Sequence, residues 1–180
     1  MTPETPQEIW SSTKWITGVA ILREVELGRL ELDEPISAHL PYWPTAANDT
    51  RSGITLRHLL GFASVSTATL SITTPSSDAD RCCHQGYVDV TQTEGYVLPL
   101  ACLESLQACA ERIASELPHP HPPGEVIDYN SVHLTLAGAA VERALQEPIF
   151  ETIRRNVLVR AGGMPSASFE QHSNANPFRE

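Results

Sequence analysis

The 180-residue chain is 41% apolar and 19% charged, a composition that suits one soluble globular domain with a single substantial core. A net charge of −10 leaves no surplus of Lys and Arg for gripping nucleic acid or an anionic membrane, so neither is expected as a partner. No run of about 18 apolar residues occurs, so no membrane span is expected. The opening Met1-Thr2-Pro3-Glu4-Thr5-Pro6 is unlike a signal peptide, which makes the cytoplasm the default expectation.

Apolar positions Trp15, Ile16, Val19, Ala20, Leu22 and Val25 predict a helix over 10–27, with Arg23, Glu24 and Glu26 on its polar side. Gly28 stands where such a helix stops, and Pro35 prevents an immediate restart. Asp33-Glu34-Pro35 opens a short helix through Ile36, His39 and Leu40, closed by Pro41 and Pro44. After a polar loop at 48–53, Thr55 is a good N-cap for a helix whose Leu56, Leu59 and Leu60 share a face, and Gly61 ends it. His58 in that helix is expected to be structural, satisfied by nearby backbone.

Residues 64–81 are dominated by Ser, Thr, Pro and Asp and read as a long surface loop, while 86–90 carry weak strand character. A second long helix is predicted over 100–117, with Cys102, Leu103, Leu106, Cys109, Ala110, Ile113 and Leu117 inward and Pro118 as its stop. Two more follow. One covers 132–144, apolar at Leu134, Leu136, Ala137, Ala140 and Val141; the other covers 148–159, with Ile149, Phe150, Ile153 and Val157 inward. Cys82, Cys83, Cys102 and Cys109 form no C-x-x-C pair, so reduced thiols are expected rather than a zinc site or a disulfide framework. His119 and His121 lie in a Pro-rich run that makes a weak candidate for metal.

Ser11-Ser12-Thr13-Lys14 is the stretch that carries chemistry. Ser11 and Lys14 stand at i and i+3, which puts a hydroxyl and an amine on one helical face. Unpaired N–H groups and the positive end of the macrodipole at a helix N-terminus favour a developing alkoxide. A lysine in an apolar setting there has its charged form disfavoured and can serve as a base. A capping serine beside a solvated lysine fits the same four residues.

Downstream stretches carry a resemblance. Gly28-Arg29-Leu30-Glu31-Leu32-Asp33-Glu34-Pro35 with His39-Leu40-Pro41, then Ile54-Thr55-Leu56-Arg57-His58-Leu59-Leu60, then Pro123-Gly124, Tyr129, Leu136-Ala137-Gly138 and Glu142 follow the nucleophile motif in order. Together they resemble the serine β-lactamase and penicillin-binding superfamily, specifically its class C-like branch with esterase and DD-peptidase relatives. The resemblance implies an α/β parent fold, an antiparallel sheet flanked by helices plus a helical subdomain. On that reading this chain is truncated at both ends: residues 1–163 cover mainly the helical part, with most strands missing, and 164–180 form an irregular polar tail.

It also implies an acyl-enzyme on Ser11, with Lys14 helping to remove its proton and Tyr129 exchanging protons with the serine and the leaving group. The backbone N–H of Ser11 would supply half of an oxyanion hole. A small-molecule ester, β-lactam or peptide-like amide is the implied substrate, with no cofactor and no metal. Two features depart from the pattern. The family's Tyr-x-Asn has Ser131 at its third position here, with the amide one residue early at Asn130, so these two are the tentative substrate-binding positions. Nothing after Tyr129 resembles the third motif, a Lys-Thr-Gly or His-x-Gly type sequence. A non-catalytic homologue acting as a helical interaction module is therefore the alternative, and oligomeric state is left open.

Overall fold

Helix α1 (Ser12–Glu26) ends as its sequence dictates: Leu27 is the C-cap and Gly28 takes φ +71°. The Gly28 N–H donates to Val25 O at 2.9 Å and the Arg29 N–H to Glu24 O at 3.0 Å, which together satisfy the last orphan carbonyls. The computed structural model describes residues 9, 11–64, 105–116, 121–130, 132–162 and 167. The short helix expected after Pro35 is a 3-10 turn, Ile36–Ala38, and the polar loop contains another, Thr50–Gly53.

Helix α2 (Leu56–Leu60) is capped reciprocally. The His58 N–H donates to Thr55 Oγ1 at 3.4 Å and the Thr55 N–H to His58 Nδ1 at 3.2 Å, so the imidazole fills the place Glu or Gln usually holds in a capping box. His58 is thus structural, as expected. Gly61 is the C-cap, but the left-handed residue is Phe62, at φ 55°. Its N–H donates to Leu59 O at 3.1 Å and that of Ala63 to His58 O at 2.8 Å. A bulky side chain at positive φ is strained, and its neighbours must hold it there.

Helices α3 (Leu106–Glu116) and α4 (Val132–Leu145) follow, then α5 (Ile149–Ile153), which continues as a π-type turn over Arg154–Leu158. α4 is buried on every face from Val132 to Glu142, the signature of a central helix, and α1, α2, α3 and α5 all pack on it. Ile21, Ile36, Leu40, Leu59, Ile113, Leu136 and Ile153 meet in the resulting core. Among the described residues no strand forms, and one antiparallel bridge pairs Pro35 with Thr55. No described helix is long and apolar enough to cross a membrane. The weak strand at 86–90, and Cys82, Cys83, Cys102, Leu103, Leu117 and His119, lie outside the described residues. Two expectations are corrected. Cys109 is disulfide-bonded rather than a free thiol, and Ser64, read as the start of a surface loop, is buried.

The buried face of α1 also departs from its apolar periodicity. Trp15 is 74% exposed and Val19 and Leu22 are exposed with it, whereas Thr13, Thr17, Ala20, Ile21 and Glu24 are buried. Glu24 is 0% exposed, and two arginines and an amide, from both near and far along the chain, meet its carboxylate. Arg155 Nη2 donates to its Oε1 at 2.9 Å, Asn156 Nδ2 to the same oxygen at 2.5 Å, and Arg29 Nε lies 2.7 Å from Oε2. Arg155 also grips Glu147 at 2.6 and 2.7 Å and thereby holds that carboxyl below its ordinary range. A buried carboxylate needs such partners, since stripping one leaves charge uncompensated. Arg155→Ala should therefore cost about 2 kcal/mol in urea unfolding, less than loss of a sole partner because Arg29 and Asn156 remain. A cost below about 0.5 kcal/mol would mean those two suffice.

Candidate active site

Ser11 is the N-cap residue of α1, yet its hydroxyl makes no capping hydrogen bond. Its own backbone is already helical, at φ −63° and ψ −13°. Lys14 Nζ donates to Ser11 Oγ at 3.2 Å. Ser11 is exposed and Lys14 half-buried. Lys14 is also the only lysine in the chain; the other 11 of its 12 Lys and Arg residues are arginines. Any purely electrostatic demand at that position could be met by arginine, which never gives up its proton, whereas lysine can. That compositional signal strengthens a motif that is weak by its spacing alone.

Tyr129 reaches Lys14 from the loop at 121–130. This loop is pinned to the chain leaving α2: the Gly124 N–H donates to Ala63 O at 2.7 Å and the Asp128 N–H to Phe62 O at 2.9 Å. Gly124 has φ +89°, and a Cβ there would lie 3.5 Å from His58 Nε2, so the turn requires glycine for its backbone more than for space. The Tyr129 ring rests on Phe62, centroids 4.9 Å apart and planes tilted by 45°. Lys14 Nζ stands over the same ring, 5.2 Å from its centroid. The Nζ group thus meets the aromatic face, a contact that orients both side chains.

Asn130 is buried, and both ends of its amide are engaged locally. Its Oδ1 accepts from the Val132 N–H at 3.0 Å, satisfying an orphan donor at the start of α4, and its Nδ2 donates to Asp128 O at 3.2 Å. Contact with a substrate would require exchanging these bonds. Ser131 lies outside the described residues.

Two neighbours go unmarked by sequence reasoning. His133 is 0% exposed, and Ser64 is buried against it with Oγ 2.7 Å from Nδ1. Nε2 lies 2.7 Å from the Asp128 carbonyl; a carbonyl only accepts, so Nε2 carries the proton. Burial, partly opposed by that carbonyl and the Asp128 charge, pushes the His133 pKa down to about 4. The imidazole is therefore neutral and its Nδ1 accepts from the Ser64 hydroxyl. The ring also meets Phe62 edge-on, centroids 5.4 Å apart. Only the polar interruption of an otherwise apolar α4 hinted at such a role.

Exposed apolar side chains lie on both elements that carry these groups. Trp15, Val19 and Leu22 continue along the face of α1 that carries Ser11 and Lys14, and on the tyrosine loop Ile127 is 78% and Tyr129 56% exposed. Among the described residues no group of three or more His, Cys, Asp or Glu side chains is placed to hold a metal ion.

The chain is similar to known proteins in sequence and in fold. The beta-lactamase family model matches residues 1–178. The chain is 28% identical over 172 residues to Protein flp of Staphylococcus aureus (strain MRSA252), a match covering 96% of this chain and 30% of that protein. It therefore spans just under a third of that relative's length. In fold it is similar to a putative beta-lactamase from Bacteroides dorei DSM 17855, with TM-score 0.61 and 20% identity over 90% of this chain and 40% of that one. It is likewise similar to a penicillin binding protein from Bacillus halodurans, with TM-score 0.56 and 24% identity over 84% and 38% of the two chains. The helices described above correspond to the helical portion of an α/β parent fold, and the chain belongs to the beta-lactamase family.

Proposed function

We propose that this chain supports acyl transfer at Ser11, with Lys14 as the group that takes up the serine proton. The observation that carries the reading is the 3.2 Å approach of the only lysine amine to the Ser11 hydroxyl, at the N-terminus of α1. The reaction begins with attack of Ser11 Oγ on an acyl carbonyl as its proton passes to Lys14, and the alcohol or amine portion then leaves. Tyr129, whose ring lies beneath Lys14, is assigned the proton exchange with the leaving group, which requires its hydroxyl to turn towards Ser11. Water releases the acyl group afterwards. A small ester, a β-lactam or a peptide-like amide fits this chemistry.

A fluorophosphonate probe or a fluorescent β-lactam tests the assignment. The wild-type chain is expected to be labelled covalently and Ser11→Ala not at all. Equal labelling of the two would remove Ser11 as the nucleophile. A second reading, a non-catalytic helical module, is favoured by the uncovered stripe of Trp15, Val19 and Leu22, which leaves apolar surface available to a partner. That reading predicts no labelling of either protein.

A further inference from the structure

We propose that His133 is a positioning residue: by joining Ser64 to the Asp128 carbonyl, it sets the Tyr129 ring on Phe62 and beneath Lys14. The placement itself depends on no activity; only its consequence for rate rests on the acyl-transfer reading of Ser11.

The loop that carries Tyr129 is pinned at its start, where the Gly124 N–H donates to Ala63 O at 2.7 Å. Gly124, Glu125, Val126 and Ile127 are exposed, and the chain becomes anchored again at Asp128. There the N–H donates to Phe62 O at 2.9 Å, while the carbonyl accepts from His133 Nε2 at 2.7 Å and from Asn130 Nδ2 at 3.2 Å. The Asp128 carbonyl and the Tyr129 nitrogen belong to one planar peptide unit. Holding that carbonyl fixes the plane from which the tyrosine side chain departs. His133 comes from the first turn of the buried central helix, so the reference point is rigid.

The second nitrogen ties in the other support. Ser64 follows Phe62 by two residues, and its hydroxyl, 2.7 Å from Nδ1, anchors the segment that holds Phe62 at its strained φ of 55°. The aromatic order is then continuous. His133 meets Phe62 edge-on, Phe62 supports Tyr129, and Tyr129 lies under Lys14. One buried imidazole therefore governs both the floor under the tyrosine and the peptide plane that presents it. A hydrocarbon side chain would fill the same space and hold neither.

Full-length variants test this. His133→Phe keeps an aromatic ring and removes both hydrogen bonds; His133→Gln restores an amide N–H within reach of the Asp128 carbonyl. Circular dichroism establishes that each folds. Reductive methylation with 13C-formaldehyde labels the only lysine and the N-terminal amine, and Lys14→Arg identifies the Lys14 signal. In the wild-type chain the ring current of Tyr129 should displace that signal upfield relative to Tyr129→Leu. His133→Phe is expected to abolish the displacement and to slow labelling of Ser11 by about 10- to 100-fold, as misplacement near 1 Å does. His133→Gln should recover most of both.

An undisplaced wild-type signal overturns the proposal, as does a folded His133→Phe with the wild-type signal, or a His133→Gln no better than His133→Phe. Should His133→Phe not fold, Ser64→Ala takes its place, with partial loss of the displacement expected and an unmoved signal counting against the idea. If the Lys14 signal responds as stated but the wild-type chain is never labelled, the positioning stands and the acyl-transfer reading falls.

Discussion

Lys14→Arg should slow covalent labelling of Ser11 by about 10²- to 10⁴-fold, the usual contribution of a positioned general base, without changing helix content. The substitution separates two roles that lysine combines. Arginine preserves the positive charge, and its planar guanidinium stacks on an aromatic face, so the contact with Tyr129 survives in kind. It cannot release its proton near neutral pH, so only proton transfer is lost. The pseudo-first-order rate with excess fluorophosphonate is the measurement. A rate within about threefold of the wild type would show that Lys14 acts as a charge, if it acts at all, and would move the base elsewhere. Because no other lysine exists in the chain, no second lysine amine can take over the role unnoticed.

Acidification from about pH 6.5 to 4 should cost on the order of 3 kcal/mol of folding stability through His133 alone. As pH falls through the ordinary histidine range, the unfolded imidazole takes up a proton. The folded one, enclosed between Phe62, Ser64 and the Asp128 carbonyl, does not until pH nears 4. Throughout that window the unfolded state binds more protons, so stability falls as pH falls, and above pH 7 the effect is absent. Urea unfolding at pH 7.0 and 4.5 measures it. Other histidines and the carboxylates titrate as well, so the quantity to compare is the pH difference of the wild type against that of His133→Gln. Equal differences in the two proteins would show that the imidazole titrates normally in the fold and is less enclosed than its contacts indicate.

Local rules made much of the fold legible. Gly28 ends α1, Thr55 caps α2 and Pro148 precedes α5 because each acts through backbone geometry within a few residues. The Ser11–Lys14 approach is of the same kind, since one helical turn brings i and i+3 together whatever surrounds them. Periodicity failed on α1, where three of six apolar positions face outward and Glu24 faces inward. A carboxylate becomes tolerable in a core only when cations and hydrogen-bond donors reach it, and besides the nearby Arg29 the cation Arg155 and the amide of Asn156 lie 131 and 132 residues further along the chain.

The surroundings of Tyr129 were beyond reach for the same reason. Ser64 and His133 are 69 residues apart and meet only because the segment leaving α2 and the start of α4 converge, burying a hydroxyl and an imidazole that must then satisfy each other. The cap, the stop and the Ser11–Lys14 spacing are properties of short stretches of chain, and the sequence alone determined them. Which face of α1 is buried, and what holds Tyr129 beneath Lys14, depend on partners distant in sequence, so only the tertiary structure decided those.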